Sequence, residues 1–500
     1  MRTRIIYLLV LSFYFSPLFA PAQKYEMTFT LPKHDTGTYY IGYHFRDELV
    51  PLDSTRVESE SSLKRVAVFK GNRKWETGIY VLYRKGDKKP VTDFTIDGSQ
   101  RFRIELSPSD DILIDHITGS EANKVMVTYK QKLEDAKYRA REIDKRKKDP
   151  ATKTQAEKEM EALAEEMKAF EEDFYQKNKK YYFSRVTEMM QNPEVPDDVE
   201  DKPLWFRSHY WDAVDFSDHS LVRTPDLFNK MNYYFFGVLY HADADTIMRY
   251  TDLLLEKLSA RTPGGDTLMM RYVLDFIMPR YYRSTKNIGW DAIWCHLIRT
   301  WYLSGRAPWA TRGDIAYKTK EVQKLEQSLI GAVGQELWMA DTNQSSNPDE
   351  WISSHRFPTK YVILWFWDPD CHHCQEQTAT LKTLYDSLSA TGNKPFEVYA
   401  VGYEADVNKW KKYVRDHKLP FVNVGGSNVN IDYQVAYNVH GAPTMIILDE
   451  NRRIIMNKVL PTNQILPFLK RHEERQSAAG KRLEEAKIGR AVQQECRDRS

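Results

Sequence analysis

Apolar positions follow one another in four different rhythms along the chain. A largely apolar stretch at 5–19 follows Arg2 and Arg4 and ends at Ala20-Pro21-Ala22. A basic start, an apolar middle and small residues at the −3 and −1 positions predict a secretory signal over 1–22, cleaved before Gln23. From 23 to 118 apolar and polar residues alternate, as at 38–43, 66–69, 78–83 and 102–106, with turn residues between. That period of two predicts a small antiparallel β-sandwich. From 119 the spacing lengthens. Val125, Tyr129, Leu133, Ala136, Ala140 and Ile143 fall on one helical stripe, and after Asp149-Pro150 so do Met160, Leu163, Met167, Phe170 and Phe174. Two charged helices broken by a proline predict a long helical hairpin. Aromatic-rich helical runs at 226–240, 244–258 and 290–303 carry the α-helical region to 330. Between 331 and 475 strands and helices alternate. A strand at 361–367, a helix from His372, a strand at 396–401 and a helix at 407–417 come first. Paired strands at 444–448 and 453–459 and a closing helix at 464–474 complete an α/β domain.

Length and charge narrow the classes. Five hundred residues exceed what one core organises, so about three domains are expected. Lysine plus arginine (72) nearly balances aspartate plus glutamate (70), and no basic stripe is interleaved with aromatics. Nucleic acid is therefore not expected as a partner. Beyond the leader no segment is long and apolar enough to span a bilayer. Together with the leader, this places the expected protein outside the cytoplasm, in a bacterial periplasm.

Four cysteines do not make a disulfide-stapled scaffold. Cys295, within Ile293-Trp294-Cys295-His296, reads as a buried, inert thiol. The tail 476–500 resembles, from Ile488 onward, a translated sequencing-adapter fragment, and Cys496 is expected to have no role. In His241-Ala-Asp-Ala-Asp245 the acids stand before a helix, where they cap its start rather than bind metal. No metal and no cofactor are expected.

Cys371-His372-His373-Cys374 carries the chemistry. It lies where the strand 361–367 gives way to a helix, and C-x-x-C at such a junction can close and reopen a disulfide by thiol exchange. The helix N-terminus favours the thiolate at Cys371. His373 can add a hydrogen bond or positive charge to that sulfur, while Asp368 and Asp370 oppose it. Cys374, one turn into the helix, would be the buried resolving thiol. Gly441-Ala442-Pro443-Thr444 opens another apolar strand, and a cis Pro443 would expose the Ala442 backbone to an extended client segment.

A C-x-x-C followed about seventy residues later by a proline at a strand mouth is the layout of thioredoxins. Residues 365–374, with Gly441-Ala-Pro-Thr444, resemble the TlpA/ResA-like branch of periplasmic thioredoxin-fold proteins over roughly 331–475. The resemblance implies a thioredoxin-like α/β fold and thiol–disulfide oxidoreductase activity. It makes Cys371 the nucleophile, Cys374 the resolving thiol and Pro443 the cis-proline. Three positions depart from the pattern. Asp370 stands where thioredoxins place tryptophan, and Trp365 stands where they bury an aspartate. Gln377 replaces a glutamate common in TlpA-like members, with Glu376 on another helical face. The histidine before Cys374 is similar to the centres of protein disulfide isomerase and DsbA, so electron flow in either direction fits the motif.

The function expected is therefore an exported thiol–disulfide oxidoreductase acting on protein cysteines, with a membrane-linked electron donor or acceptor. A non-catalytic envelope binding protein and a thiol peroxidase are the other readings. The second lacks the threonine or serine that a peroxidatic cysteine has three residues before it, since Asp368 is there.

Overall fold

The structure is a computed structural model that describes residues 24–32, 36–58, 65–87, 90–108, 114–260, 267–282, 289–403 and 406–477. The expected signal (1–22) and Cys496 lie outside these residues. The chain divides into two compact units, one of residues 1–242 and 250–273, the other of 243–249 and 274–500.

The first unit begins with eight strands: β1 (Tyr25–Leu31), β2 (Gly37–Phe45), β3 (Glu48–Val57), β4 (Arg65–Gly71), β5 (Gly78–Arg84), β6 (Thr92–Ile96), β7 (Arg101–Leu106) and β8 (Ile114–Thr118). They form two four-stranded sheets, β4-β1-β7-β8 and β3-β2-β5-β6. All pairs are antiparallel except β1 with β7. The sheets face each other through Phe29 and Phe94, whose rings lie 5.1 Å apart, with Phe102 packed on both. This is the sandwich that the alternation predicts. Helix α1 (Glu121–Lys147) follows, docked on β6 by buried Asn123, whose amide accepts from Thr95 N–H at 2.7 Å and donates to its carbonyl at 2.8 Å. The side chain thereby replaces a neighbouring strand for one residue of β6.

α2 (Lys153–Asn178) returns along α1 as the predicted hairpin. Ala136 and Ile143 meet Ala156 and Leu163 inside it. Arg139 grips Glu166 with two bonds of 3.0 and 2.7 Å, a bidentate fork that fixes the register. Helices α3 (Tyr182–Met190), α4 (Lys202–His209) and α5 (Pro225–Tyr233) follow in this unit, the last extended by a π-helical turn at Tyr234–Val238.

Lys230 on α5 is 1% exposed. Its Nζ donates to the Gln191 carbonyl at 3.0 Å and lies 4.2 Å from the Tyr210 ring centre. Burial pushes its pKa down to about 8. Below pH 8 both folded and unfolded chains carry the proton, and the folded chain bears the full cost of a buried charge. Between about 8 and the usual lysine value the unfolded chain binds more protons, so stability rises with pH there. Lys230→Met is accordingly expected to stabilise the fold by about 2 kcal/mol at pH 7, with the gain shrinking above pH 8. Urea denaturation at pH 7 and pH 10 measures it; an equal effect at both values would refute the argument.

The division between the units falls within α6 (Ala244–Ala260) and α7 (Thr267–Tyr281). Asp243 caps α6, accepting from Thr246 N–H at 2.7 Å. In the second unit come α8 (Trp290–Leu297), extended by a π-helical turn at Ile298–Tyr302, and α9 (Arg312–Glu326). Cys295 on α8 is 3% exposed, and burial pushes its thiol up to about 12.

The α/β part of this unit contains β9 (Trp338–Asp341), β10 (Ile352–Ser353), β11 (Tyr361–Trp367), α10 (His372–Ala390), β12 (Phe396–Gly402), α11 (Val407–Asp416), β13 (Val422–Val429), α12 (Tyr433–Ala436), β14 (Thr444–Leu448) and β15 (Ile454–Met456). A closing helix covers 462–477. One sheet runs β10-β9-β13-β12-β11-β14-β15, with β11, β12 and β13 parallel and the other pairs antiparallel. β11 is central and buried at all seven positions, as a strand covered on both faces must be. Tyr361, Ile363, Trp365 and Trp367 fill one face, with α10, α11 and the closing helix; Val362, Leu364 and Phe366 fill the other.

β15 stops at Met456, short of the predicted 459. The next two residues turn to the helical segment of the same unit. Asn457 donates to the Ser328 carbonyl at 3.1 Å, and Lys458 pairs with Asp291 at 3.0 Å.

Candidate active site

The site forms where β11 hands the chain to α10. Leaving Trp367, the loop Asp368-Pro369-Asp370 is held by three bonds. Asp370 N–H donates to Asp368 Oδ1 at 2.8 Å and Cys371 N–H to the Asp368 carbonyl at 3.1 Å. Gln375 Nε2 closes on the Pro369 carbonyl at 2.7 Å. Cys371 is the N-cap of α10, with φ −92° and ψ 115°. Its sulfur accepts the Cys374 N–H at 3.3 Å, the bond that a serine or aspartate oxygen makes at other helix starts.

Cys371 is half-buried, whereas Cys374 is 0% exposed in the core between β11 and α10. Both are free thiols. Burial, and then the hydrogen bond with Cys371, push the Cys374 thiol up to about 12. Below it on the same stripe Thr378, Leu381 and Tyr385 are buried. Trp365, at the position of the aspartate buried in thioredoxins, donates its indole N–H to Thr378 Oγ1 at 3.0 Å. The polar group that meets the Trp365 indole is thus a neutral hydroxyl and not a carboxylate.

Pro443 comes to the pair from the neighbouring strand. β14 is antiparallel to β11, with Thr444 opposite Phe366. That register sets the Gly441–Pro443 turn beside the Cys371 loop. The Ala442–Pro443 bond is cis, and the Ala442 carbonyl lies 3.9 Å from the Cys371 sulfur. Thr444 Oγ1 braces the turn by donating to the Gly441 carbonyl at 2.7 Å. Cys371, Cys374 and Pro443 therefore meet at one corner.

His373 is placed elsewhere. Its side chain is 83% exposed and Nδ1 lies 3.6 Å from Glu376 Oε2; His372 Nε2 lies 3.3 Å from the other oxygen of the same carboxylate. The expected contact with the Cys371 sulfur is corrected by helix geometry. Residues two apart on a helix do not share a face, whereas Glu376, three and four positions on, faces both histidines. Spacing alone also gave no hint of Lys409. Its Nζ donates to Asp370 Oδ2 at 2.8 Å from a helix 39 positions further along the chain. Trp410 beside it is buried against Gly402 and Gly425, where a Cβ would meet the indole at 3.0 and 3.3 Å.

Residues 359–454 match the family model of thioredoxin-like domains, and residues 145–306 match a domain of unknown function, DUF5106. No curated protein matches the chain. Among solved structures, it is similar to a thioredoxin-like protein from Bacteroides caccae, at 15% identity and TM-score 0.44, covering 56% of this chain and 98% of that one. A domain of a possible thiol-disulfide isomerase from Cytophaga hutchinsonii is similar at 28% identity and TM-score 0.27, over 30% of this chain and 97% of that one. The thioredoxin domain of a thiol-disulfide oxidoreductase from Bacteroides vulgatus is similar at 23% identity and TM-score 0.23, over 28% and 96%. The C-terminal α/β domain has a thioredoxin-like fold.

Proposed function

We propose that the chain is an exported thiol–disulfide oxidoreductase that exchanges disulfides with protein cysteines through Cys371 and Cys374. One observation carries the reading. Two sulfurs share a helix start, one half-exposed beside a cis-proline turn and the other sealed in the core. That asymmetry divides the labour. The Cys371 thiolate attacks a client disulfide, breaking its S–S bond, forming a mixed disulfide and releasing one client thiolate. Cys374 then attacks the Cys371 sulfur and gives up its proton. The internal disulfide closes, and the second client thiol leaves. Two electrons pass from the dithiol to the client.

The Ala442 backbone beside the Cys371 sulfur supports an extended client segment lying against the turn. Export is supported by the N-terminal pattern over 1–22, and the periplasm is the compartment proposed. Because that compartment is oxidising, a membrane-linked dithiol donor is proposed to return the centre to its reduced form. His373 is not assigned contact with the sulfur.

A Cys374→Ser variant tests the reading. Lacking the resolving thiol, it is expected to hold clients as mixed disulfides on Cys371, visible on non-reducing gels and released by dithiothreitol. The Cys371→Ser/Cys374→Ser double variant should hold none. A blank trap from cells would count against a protein-directed role.

A further inference from the structure

We infer that Lys409 is a positioning residue for Cys371, acting through Asp370 by holding that carboxylate and balancing its charge beside the nucleophile. This rests on the reading of Cys371 as the attacking thiol. Asp370 immediately precedes Cys371 and is tied into the same loop by its N–H bond to Asp368, so its carboxylate is a charge on the nucleophile's own loop. Its Oδ2 accepts the Lys409 ammonium at 2.8 Å. The two side chains are 61% and 63% exposed, a setting in which an ion pair adds little to stability. Its effect is on the local charge.

The other groups around the corner are already engaged. Asp368 Oδ1 accepts Asp370 N–H, His372 and His373 turn to Glu376, and Lys412 pairs with Asp416. Asp406, the N-cap of α11, is the second acid facing Lys409. Asp370, first among its neighbours, holds the Lys409 ammonium above the usual lysine range. The position of Lys409 is set by Trp410, whose buried indole pins α11 under β12 and β13. The pair also closes one side of a cleft of about 160 Å³ lined by Pro369, Asp370, Lys409, Lys412 and Tyr413. The departure from thioredoxins at Asp370 thus comes with its own counter-charge from a distant helix.

Alkylation of Cys371 by iodoacetamide in the reduced full chain, followed by peptide mass spectrometry across pH, tests this. Lys409→Met is expected to slow alkylation at pH 7 by about threefold and move the pH profile up by about half a unit. Asp370→Asn should move it the other way. In the Asp370→Asn background Lys409→Met should have little effect, and Lys409→Arg should keep the native profile. An unchanged profile in Lys409→Met, or an equal shift in both backgrounds, overturns the inference. Insulin reduction by the native chain, run in parallel, separates this from the activity itself. An inert native chain refutes the oxidoreductase reading whatever the alkylation profiles show.

Discussion

Cys371→Ser is expected to lower insulin-disulfide reduction by at least about 10³-fold, to the uncatalysed background. The substitution removes the sulfur and little else. A serine at the N-cap of α10 still accepts the Cys374 N–H, the role serine fills at other helix starts, so the helix keeps its beginning. Cys374 does not substitute for the lost nucleophile. It is 0% exposed, and burial and the hydrogen bond with Cys371 push its thiol up to about 12, so neither access nor ionisation favours attack on an outside disulfide. Native-like circular dichroism with background activity is the expected pairing. Retention of more than about a tenth of the native rate would mean that the pair is not the reactive centre.

The largest stability effect is expected at Lys458. Its ammonium lies 3.0 Å from Asp291 Oδ2, with the two side chains 19% and 7% exposed. Asp291 Oδ1 is buried with no hydrogen-bond partner among the described residues. Lys458→Met would leave a carboxylate enclosed with its counter-charge gone, at a cost of about 3 kcal/mol. Removing both charges together, as Asp291→Leu/Lys458→Met, is expected to recover most of that loss, because two apolar side chains need no partner. Urea denaturation of the two variants decides it. If the single variant were as stable as the native chain, the pair would be a solvated contact and this account of the second unit would be wrong.

Much of the α/β domain was legible because its strongest elements advertise themselves. β11 is seven apolar residues in a row, and α10 repeats its stripe from Cys374 to Tyr385. β13 was missed for a physical reason. Val422–Val429 contains Gly425 and Gly426, which interrupt any apolar alternation, and Gly425 is there because the Trp410 indole packs against its backbone. β9 and β10 were missed because they are four and two residues long, too short to show a period. In the sandwich the alternation located β2, β4, β5 and β7, while the mixed burial of β3 hid that strand among polar residues.

The chemistry divides in the same way. Local order along the chain determined which sulfur caps the helix and which lies a turn inside it, since a helix start fixes both from four consecutive residues. It also determined that a proline opens the partner strand. Strand pairing alone decided that the two meet: the antiparallel register of β14 on β11 carries Ala442 to 3.9 Å from a sulfur 71 positions earlier. Side-chain direction turned His373 outward, and the packing of Trp410 brought Lys409 to Asp370. Such contacts depend on where separate elements come to rest, and residue spacing carries no record of that.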